Sequence, residues 1–227
     1  GTTIDSIACL AKYTTDGILI WKQLIGNNAN VSPYGITTDS EGSVYLVGST
    51  EGAFSGANRG YTDAWVAKYD SDGHPRWKRQ FGTDEEDAAT FVATSATSCV
   101  YIFGVSASVE DPPTYTYWLT KYDGAGRMQW KRQVHPSDQP IGVDIDAIGN
   151  IYLAGGNTNQ DAWLAKFNVA GREQWKRQLG TDADDYAAAV VLDTKGNVYV
   201  GGETAGTLGG PSHGSYDVWV AKYSARP

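Results

Sequence analysis

The segment Asp63-Ala-Trp-Val-Ala-Lys-Tyr-Asp70 decides the fold, because related segments recur through the chain. Each counterpart has Trp or Cys, a branched aliphatic residue, a small residue, Lys and an aromatic residue. The counterparts are Cys9–Tyr13, Trp118–Tyr122, Trp163–Phe167 and Trp219–Tyr223. The lysines of the five copies follow one another at intervals of 45 to 56 residues. Recurrence at this spacing predicts a repeat architecture.

Two further blocks recur in step with the first. Trp21-Lys-Gln and three copies of Trp-Lys-Arg-Gln, at 77–80, 130–133 and 175–178, follow its first four copies. A block with Val or Ile, then Tyr, and ending in Gly stands at 44–48, 100–104, 151–155 and 198–202. All eight Trp residues lie in these repeated blocks. Each block is a short run of β-branched and aromatic residues bounded by turn-forming residues, which is typical of a strand.

A fourth run, rich in small and apolar residues, precedes each Tyr-containing block. Its copies are 34–39, 90–94, 141–146 and 188–193. The best helical candidate, 84–93, has repeat equivalents that favour strand, and no segment sustains a helical apolar period. We name the fourth run strand a, the Tyr-containing block b, the Lys-aromatic block c and the Trp-Lys-Arg-Gln block d. Four strands per repeat predict an all-β protein, a β-propeller of four-stranded antiparallel blades.

These motifs resemble the SBBP-type bacterial β-propeller repeat. The resemblance rests on Asp63–Asp70, on Gly73, Trp77 and Gly82, and on the block Gly196–Gly202 of another copy. It covers nearly the whole chain. The resemblance implies a bacterial protein that is secreted or held at the cell surface. It implies a scaffold rather than a particular chemistry, because such families are defined by their fold.

The repeats predict a single β-propeller domain over residues 1–227. Its repeat units are roughly 34–82, 88–134, 141–180 and 187–227 plus 5–26. Because strand c occurs five times and the others four times, the blade number stays open. We favour four blades closed by strands from both termini, with Ile18–Leu24 completing the blade that begins at Ala188. Five blades with one incomplete, a piece of a longer propeller, and closure on dimerisation are the alternatives.

Composition excludes several classes of protein. The net charge of −8 is opposite to that of a protein that binds nucleic acid phosphates. No run approaches the ~18 apolar residues of a membrane-spanning helix, so we predict no membrane insertion. Two cysteines are too few for a disulfide scaffold. The sequence lacks a starting Met and a signal peptide, as expected of a processed form, so the extracytoplasmic location follows from the resemblance alone.

Connection lengths predict where a ligand would bind. The a–b and c–d turns are short and nearly uniform, whereas the b–c and d–a loops are longer and varied. Because strands alternate in direction, both kinds of longer loop lie at one end of each sheet. The b–c loops are 49–63, 105–117, 157–161 and 203–217, and the d–a loops are 26–33, 82–87, 135–140 and 180–186. Variable loops on a rigid scaffold are the usual place for a binding surface.

Several loop residues are candidates for ligand contact. Four tyrosines break the periodic pattern and could stack on a ligand, and other polar loop residues accompany them. The ligand-binding candidates are Tyr61, Tyr115, Tyr186, Tyr216, Asn58, His213, Asp87 and Asp185. Asp182, Asp184 and Asp185 could supply oxygen ligands to Ca²⁺, although turn-forming hydrogen bonds are the simpler interpretation. We expect no other cofactor, since the loop histidines His135 and His213 lack zinc-site spacing.

We predict no catalytic residue. Gly210-Pro-Ser-His-Gly214 matches the nucleophile-elbow pattern of hydrolases, but that elbow needs a helix after the serine. The segment instead aligns without gaps to 54–65, a loop that leads into strand c. The favoured hypothesis is a non-enzymatic, lectin-like binding module that recognises a protein or a carbohydrate through its longer loops. The alternatives are a small-propeller hydrolase or lyase, with Asp87, Asp185 or His213 as acid or base, and a structural segment of a larger surface protein. Self-association is left open.

Overall fold

The computed structural model describes residues 7–26, 30–134, 138–157 and 159–224. In these ranges every helix or strand assigned is a β-strand. The strands are β1 Ala8–Tyr13, β2 Leu19–Ile25, β3 Val31–Thr38, β4 Val44–Thr50, β5 Asp63–Tyr69, β6 Pro75–Phe81, β7 Glu86–Thr94, β8 Val100–Ala107, β9 Tyr115–Tyr122, β10 Met128–Gln133, β11 Asp138–Ile145, β12 Ile151–Asn157, β13 Ala162–Phe167, β14 Glu173–Leu179, β15 Asp185–Leu192, β16 Val198–Thr204 and β17 Asp217–Tyr223. Within the described part of the chain, no helix is long and apolar enough to span a membrane.

The strands form five sheets that follow the repeat. Strands β3–β6, β7–β10 and β11–β14 each make a four-stranded sheet in the order a, b, c, d. Strands β15–β17 make a sheet of a, b and c, and β1–β2 make a sheet of c and d. The predicted all-β class and the four-stranded antiparallel sheets are therefore confirmed.

The predicted closure by strands from both termini is not confirmed. Strand β2, which contains most of Ile18–Leu24, pairs with β1 rather than with the sheet that begins at β15. The physical reason is local: Thr14 and Gly17 close a tight turn with a 3.0 Å backbone hydrogen bond, which brings β1 and β2 together as an antiparallel hairpin. The blade count of four is likewise not confirmed, because two of the five sheets lack strands.

The repeated Trp and Gly residues recur together because they are cross-strand partners. Each strand-c Trp pairs with the Gly of strand b, as in Gly48–Trp65 and Gly104–Trp118. A Cβ added to Gly104 would lie 2.3 Å from the ring of Trp118, so the indole needs glycine beneath it. The strand-c Trp residues are buried, and the Nε1 of Trp65 donates to the carbonyl oxygen of Ser49 at 2.8 Å.

Strand a begins about three residues earlier than the sequence pattern indicates. In β7 and β15 the pairing runs from Glu86 and Asp185, and a β-bulge interrupts it near the middle of each strand. The bulge breaks the two-residue alternation of side chains, so the residues before it do not fit the strand pattern in the sequence. Asp87 and Asp185 are therefore strand residues, which corrects their predicted place in the d–a loops.

The chain divides into two compact units. The first contains residues up to 94 with 98–129, and the second contains 95–97 with the residues from 130 onward. Within each unit, the sheets stack through two kinds of face. We call the face of each sheet that carries the Trp of strand c, or Cys9 in the first sheet, the leading face. The residues directly before and after that position in strand c lie on the opposite face, which we call the trailing face.

Each interface within a unit joins a leading face to the trailing face of the preceding sheet. In the first unit, Trp65 packs in one cluster with Ala8 and Leu10, and Trp118 packs in another with Ala64 and Val66. In the second unit, Trp219 packs with Ala162 and Leu164. Within each unit, the core therefore lies in layers between successive sheets.

The strand-d residues Trp21, Trp77 and Trp130 form hydrogen bonds to the following sheet. Trp21 Nε1 donates to the carbonyl oxygen of Ser71 at 3.0 Å, and Trp77 Nε1 donates to that of Gly124 at 3.0 Å. In the second unit, Trp130 Nε1 donates to Val169 at 3.3 Å. Each acceptor lies in the c–d turn of the following sheet. The strand-d Trp residues thus contribute to the contacts between sheets.

Candidate binding site at the long-loop end

The two ends of the sheets differ as predicted only through b–c loops such as 51–62 and 205–216. The d–a connections 82–85 and 180–184 are no longer than the five-residue turns at the other end, because strand a begins earlier than predicted. The a–b and c–d connections are tight turns, and six of the eight are held by an Asp or Asn at their first position; the other two begin with Thr14 and Ser95. Asp70 Oδ1, for example, accepts the backbone N–H groups of Asp72 and His74 at 3.0 and 2.8 Å. The b–c loops are 51–62, 108–114, 158–161 and 205–216, and they lie at the opposite end together with the d–a connections. We call this opposite end the long-loop end.

The loops 51–62 and 205–216 share one construction. Asp63 Oδ1 accepts the backbone N–H of Arg59 at 3.3 Å, and Asp217 Oδ2 accepts that of His213 at 2.8 Å. The hydrogen bonds span the same four residues in both loops, which confirms the gapless alignment of the two segments. Asp63 and Asp217 therefore shape the loop before strand c.

The serine of the elbow-like motif is a loop residue. Ser212 is exposed, no helix follows it, and its hydroxyl donates to the carbonyl oxygen of Gly214 at 3.0 Å. The structure thus confirms that Gly210–Gly214 is not a nucleophile elbow.

Two of the four candidate tyrosines lie together. The ring centroids of Tyr186 and Tyr216 are 6.5 Å apart with an interplanar angle of 43°. Partial burial raises the pKa of the Tyr186 hydroxyl, and the nearby groups of Asp184, Tyr216 and Glu203 raise it further. Tyr216 is 48% exposed, so one ring of the pair faces solvent while the other is partly covered.

A cavity of about 590 Å³ adjoins this pair in the second unit. Its lining comes from β15, β16 and β17, with Ile141 of β11, and is mostly apolar. Tyr186 and Glu203 lie at its long-loop end, and Val218 and Val220 lie along the trailing face. A surface with the rings of Tyr186 and Trp219 beside the carboxylate of Glu203 suits a ligand that has both apolar and polar groups.

The other two tyrosines are exposed and lie elsewhere, Tyr61 in the 51–62 loop and Tyr115 at the start of strand β9. Tyr61 is 63% exposed and Tyr115 is 50% exposed, and both lie in the first unit at the long-loop end. The structure brings neither ring into a pair like that of Tyr186 and Tyr216 among the residues it describes.

The candidates Asp87 and Asp185 are buried and hold their own d–a connections. Asp87 Oδ2 accepts the backbone N–H and the hydroxyl of Thr83 at 2.6 and 2.8 Å, and Asp185 Oδ2 makes the same pair of contacts with Thr181. Asp87 Oδ1 also accepts the Ser106 hydroxyl at 2.5 Å. Asp185 Oδ1 has no hydrogen-bond partner among the described residues.

Asn58 and His213 contribute mainly to loop structure. The Asn58 side-chain amide donates to the carbonyl oxygens of Glu51 and Gly60 at 3.1 and 2.9 Å, which folds its loop back on itself. The His213 ring is exposed while its backbone N–H is bound to Asp217. His135, the other loop histidine, lies outside the described residues.

The acidic side chains in the d–a connection of the second unit do not converge on one point. Among the described residues, the group of three His, Cys, Asp or Glu side chains with ligand atoms within 4.8 Å of one another is Asp70, Asp72 and His74. Its Asp70 oxygens already accept turn N–H groups, as above. Asp182, Asp184 and Asp185 form no such group, and Ca²⁺ binding by them stays a prediction.

Residues that the sequence analysis missed lie on the trailing face of β15–β17. Val218 and Val220 line the cavity, with Gly201 and Ala189 beside them. A signal was present in the sequence, because Val218 occupies the position where strands β5 and β13 have Ala64 and Ala162. Val218 is 87% exposed although Ala64 and Ala162 are buried, and an exposed apolar patch of this kind indicates a contact surface.

The chain carries the SBBP beta-propeller repeat. The family model matches at two places, residues 20–54 and 174–210, and both matches run from strand d through strands a and b. The family predicted from the sequence motifs is thereby confirmed.

One curated relative and two solved structures are similar to the chain. The regulatory protein FlaEY of Caulobacter vibrioides is 28% identical over 113 residues, which are 46% of this chain and 12% of that protein. A protein of unknown function from Bacteroides caccae has a TM-score of 0.52 at 12% identity, over 82% of this chain and 61% of that one. One from Dyadobacter fermentans has a TM-score of 0.51 at 10% identity, over 84% of this chain and 60% of that one. The chain thus spans less than two thirds of each, and the two structures share its fold.

Proposed function

We propose that these SBBP repeats form a non-enzymatic binding module, which recognises a protein or a glycan through the long-loop end. The single observation that carries the proposal is the pairing of Tyr186 with Tyr216 beside an apolar cavity. Tyrosine offers a large contact area at low conformational cost together with a hydrogen-bonding hydroxyl, which suits both kinds of ligand.

The difference between the short turns at one end of the sheets and the loops at the other end supports this function. The short turns are held by internal hydrogen bonds of Asp and Asn, which leave few groups for a ligand. The long-loop end presents the exposed Tyr61, Tyr115 and Tyr216 in or directly after the b–c loops 51–62, 108–114 and 205–216. A scaffold that keeps one end uniform and varies the other is suited to recognition.

The hydrogen bonds of the buried carboxylates favour binding over catalysis. A general acid or base must reach a proton of the substrate. Asp87 uses both of its oxygens to hold Thr83 and Ser106, and it is 1% exposed. Asp185 is 0% exposed and holds Thr181. We propose an extracytoplasmic location because the family resemblance implies it.

The experiment is a screen followed by a variant comparison. The purified protein is tested on a glycan array and in a pull-down from a bacterial surface-protein extract. Binding to the ligand found is then measured for Tyr186→Ala, Tyr216→Ala and the control Ile148→Ala. Ile148 is 74% exposed in an a–b turn at the other end, so its loss tests for a general effect of removing an exposed apolar side chain.

We expect either tyrosine variant to bind at least about tenfold more weakly, the loss expected when an aromatic contact residue is truncated at an interface. Ile148→Ala should bind as the parent protein does. Absence of any ligand at high protein concentration would overturn the proposal. Unchanged binding by both tyrosine variants would remove the proposed site.

A further inference from the structure

Three neighbouring side chains, Tyr186, Glu203 and Val218, form a row across β15–β17 at the long-loop end. Tyr186 pairs with Glu203 in the register of β15 and β16, and Glu203 pairs with Val218 in that of β16 and β17. Side chains paired in this way are direct neighbours on one face of a sheet. The Glu203 side chain therefore lies between that of Tyr186 and that of Val218.

The aromatic ring and the carboxylate of this row are particular to β15–β17. At the position of Tyr186 the other strands a have Ser32, Ala88 and Gln139, and at the position of Glu203 the other strands b have Ser49, Val105 and Gly156. These six residues are neither charged nor aromatic. Since the other sheets form without such a pair, the scaffold does not require it, and a contact with a ligand is the role that remains.

The surroundings of Glu203 are acidic. The neighbouring connections 159–161, 180–184 and 205–216 contain Asp161, Asp182 and Asp184 but neither Lys nor Arg. Glu203 is exposed, and its carboxylate forms no hydrogen bond or ion pair with any residue that the structure describes. A carboxylate without a cation, in a region without basic side chains, is complementary to a positively charged group of a ligand.

Aromatic rings lie beside this negative charge. The ring centroids of Tyr186 and Tyr216 are 6.5 Å apart, and Tyr216 is exposed. Burial raises the pKa of the Tyr186 hydroxyl, and the charges of Asp184 and Glu203 raise it further, so their negative potential reaches the ring pair. The face of an aromatic ring attracts cations by itself, and the nearby carboxylates strengthen that attraction.

We propose that this site binds the side chain of an arginine in a partner protein. The inference rests on the proposed binding function and names the chemical class of its ligand. The guanidinium stacks on the Tyr186–Tyr216 pair and donates two hydrogen bonds to the Glu203 carboxylate, a combination that the compact ammonium group of lysine does not offer. The apolar lining of the cavity contacts the methylene groups of the arginine. A neutral glycan leaves the charge of Glu203 uncompensated, and is therefore the less favoured ligand.

The first experiment compares two peptides that have the same shape and a different charge. One fluorescein-labelled peptide carries several arginines in a glycine–serine sequence, and its control carries citrulline, the uncharged isostere, at the same places. Fluorescence anisotropy measures the dissociation constant of each peptide from the full chain. We expect the arginine peptide to bind at least about tenfold more tightly than the citrulline peptide, and added salt to weaken its binding. Equal affinities, or no binding of the arginine peptide at about 1 mM protein, would overturn the inference.

The second experiment removes the charge of Glu203 with little change in shape. Glu203→Gln should bind the arginine peptide at least about tenfold more weakly than the parent protein. Glu173→Gln is the matched control, because Glu173 is an exposed carboxylate at the opposite end of the sheets, where β14 begins. It should bind as the parent does. Both variants should keep the urea unfolding midpoint of the parent, since both positions are exposed. Equal affinities of the two variants would overturn the inference.

The outcomes distinguish this inference from the proposed function on which it rests. A glycan from the array may bind more weakly to Tyr216→Ala and equally well to Glu203→Gln. That result would overturn the arginine ligand and leave the binding function in place. Failure of the binding function itself would give no ligand on the array, in the pull-down or among the peptides.

Discussion

Asp193 illustrates how one carboxylate organises a short turn. Its oxygens accept the side-chain amide of Asn197 at 2.7 Å and the backbone N–H groups of Lys195 and Asn197 at 2.9 Å each. The Asn197 side chain is the largest cause, followed by the backbone N–H groups, of a pKa lowered to about 2 from 3.8. Asp is favoured at the first position of a tight turn because its carboxylate accepts the backbone N–H groups of residues that follow it.

This shift makes acid stability testable. A folded-state pKa below the unfolded value adds stability that is present above about pH 3.8 and lost as the pH falls toward 2. Asp193→Asn should therefore show a smaller loss of unfolding free energy between about pH 4 and pH 2 than the parent protein, measured by urea unfolding. Replacing the exposed Asp182 by Asn is the control. Parallel curves for Asp193→Asn and the parent would contradict this role.

One contact between structural elements recurs along the chain: the Trp of strand d packs on the c–d turn of the following sheet. Gly126 has a φ of +76°, and a Cβ there would lie 2.7 Å from the Trp77 ring. Gly17 occupies the same position in the first c–d turn with a φ of +78°, yet a Cβ there would meet nothing within 4 Å. An alanine at Gly17 therefore tests the free-energy cost of the left-handed backbone alone, and an alanine at Gly126 tests that cost together with the cost of displacing the Trp77 ring.

Gly17→Ala should therefore cost about 1 kcal/mol, the penalty for a left-handed residue with a side chain. Gly126→Ala should cost about 1–3 kcal/mol more, because the Trp77 ring must move. Chemical denaturation measures both free energies of unfolding. Equal losses in the two variants would show that Trp77 does not pack on this turn as described.

The strands themselves were largely predictable from the repeats, with one instructive exception. Blocks b, c and d each have an aromatic residue or Cys9 at a fixed place, and the register shifts of β5–β6 and β13–β14 fall only at the last residue of strand c, so their bounds follow from the sequence. Strand a contains a bulge between Ala89 and Phe91, and the equivalent bulge in β15 lies between Ala187 and Ala189. A bulge breaks the two-residue period, and so Asp87 and Asp185 were predicted as loop residues.

At the scale of the molecule, the sequence predicted which loops share an end but not which strands complete the terminal sheets. Loop placement follows from strand alternation alone. Sheet completion depends on the competition of two strands for one partner, and the close hairpin of β1 with β2 prevails over a distant pairing. The Tyr186–Tyr216 contact was also beyond a sequence argument, although both residues were candidates. Their proximity comes from the path of the 205–216 loop.

The central claim is that ligand binding is confined to the long-loop end. The most direct test is hydrogen exchange of the protein alone and saturated with the ligand selected by the array or the pull-down. The account predicts slower exchange in 180–184 and 205–216 and no change in the short turns 146–150, 168–172 and 193–197. Slower exchange in the short turns, with the longer loops unaffected, would contradict it.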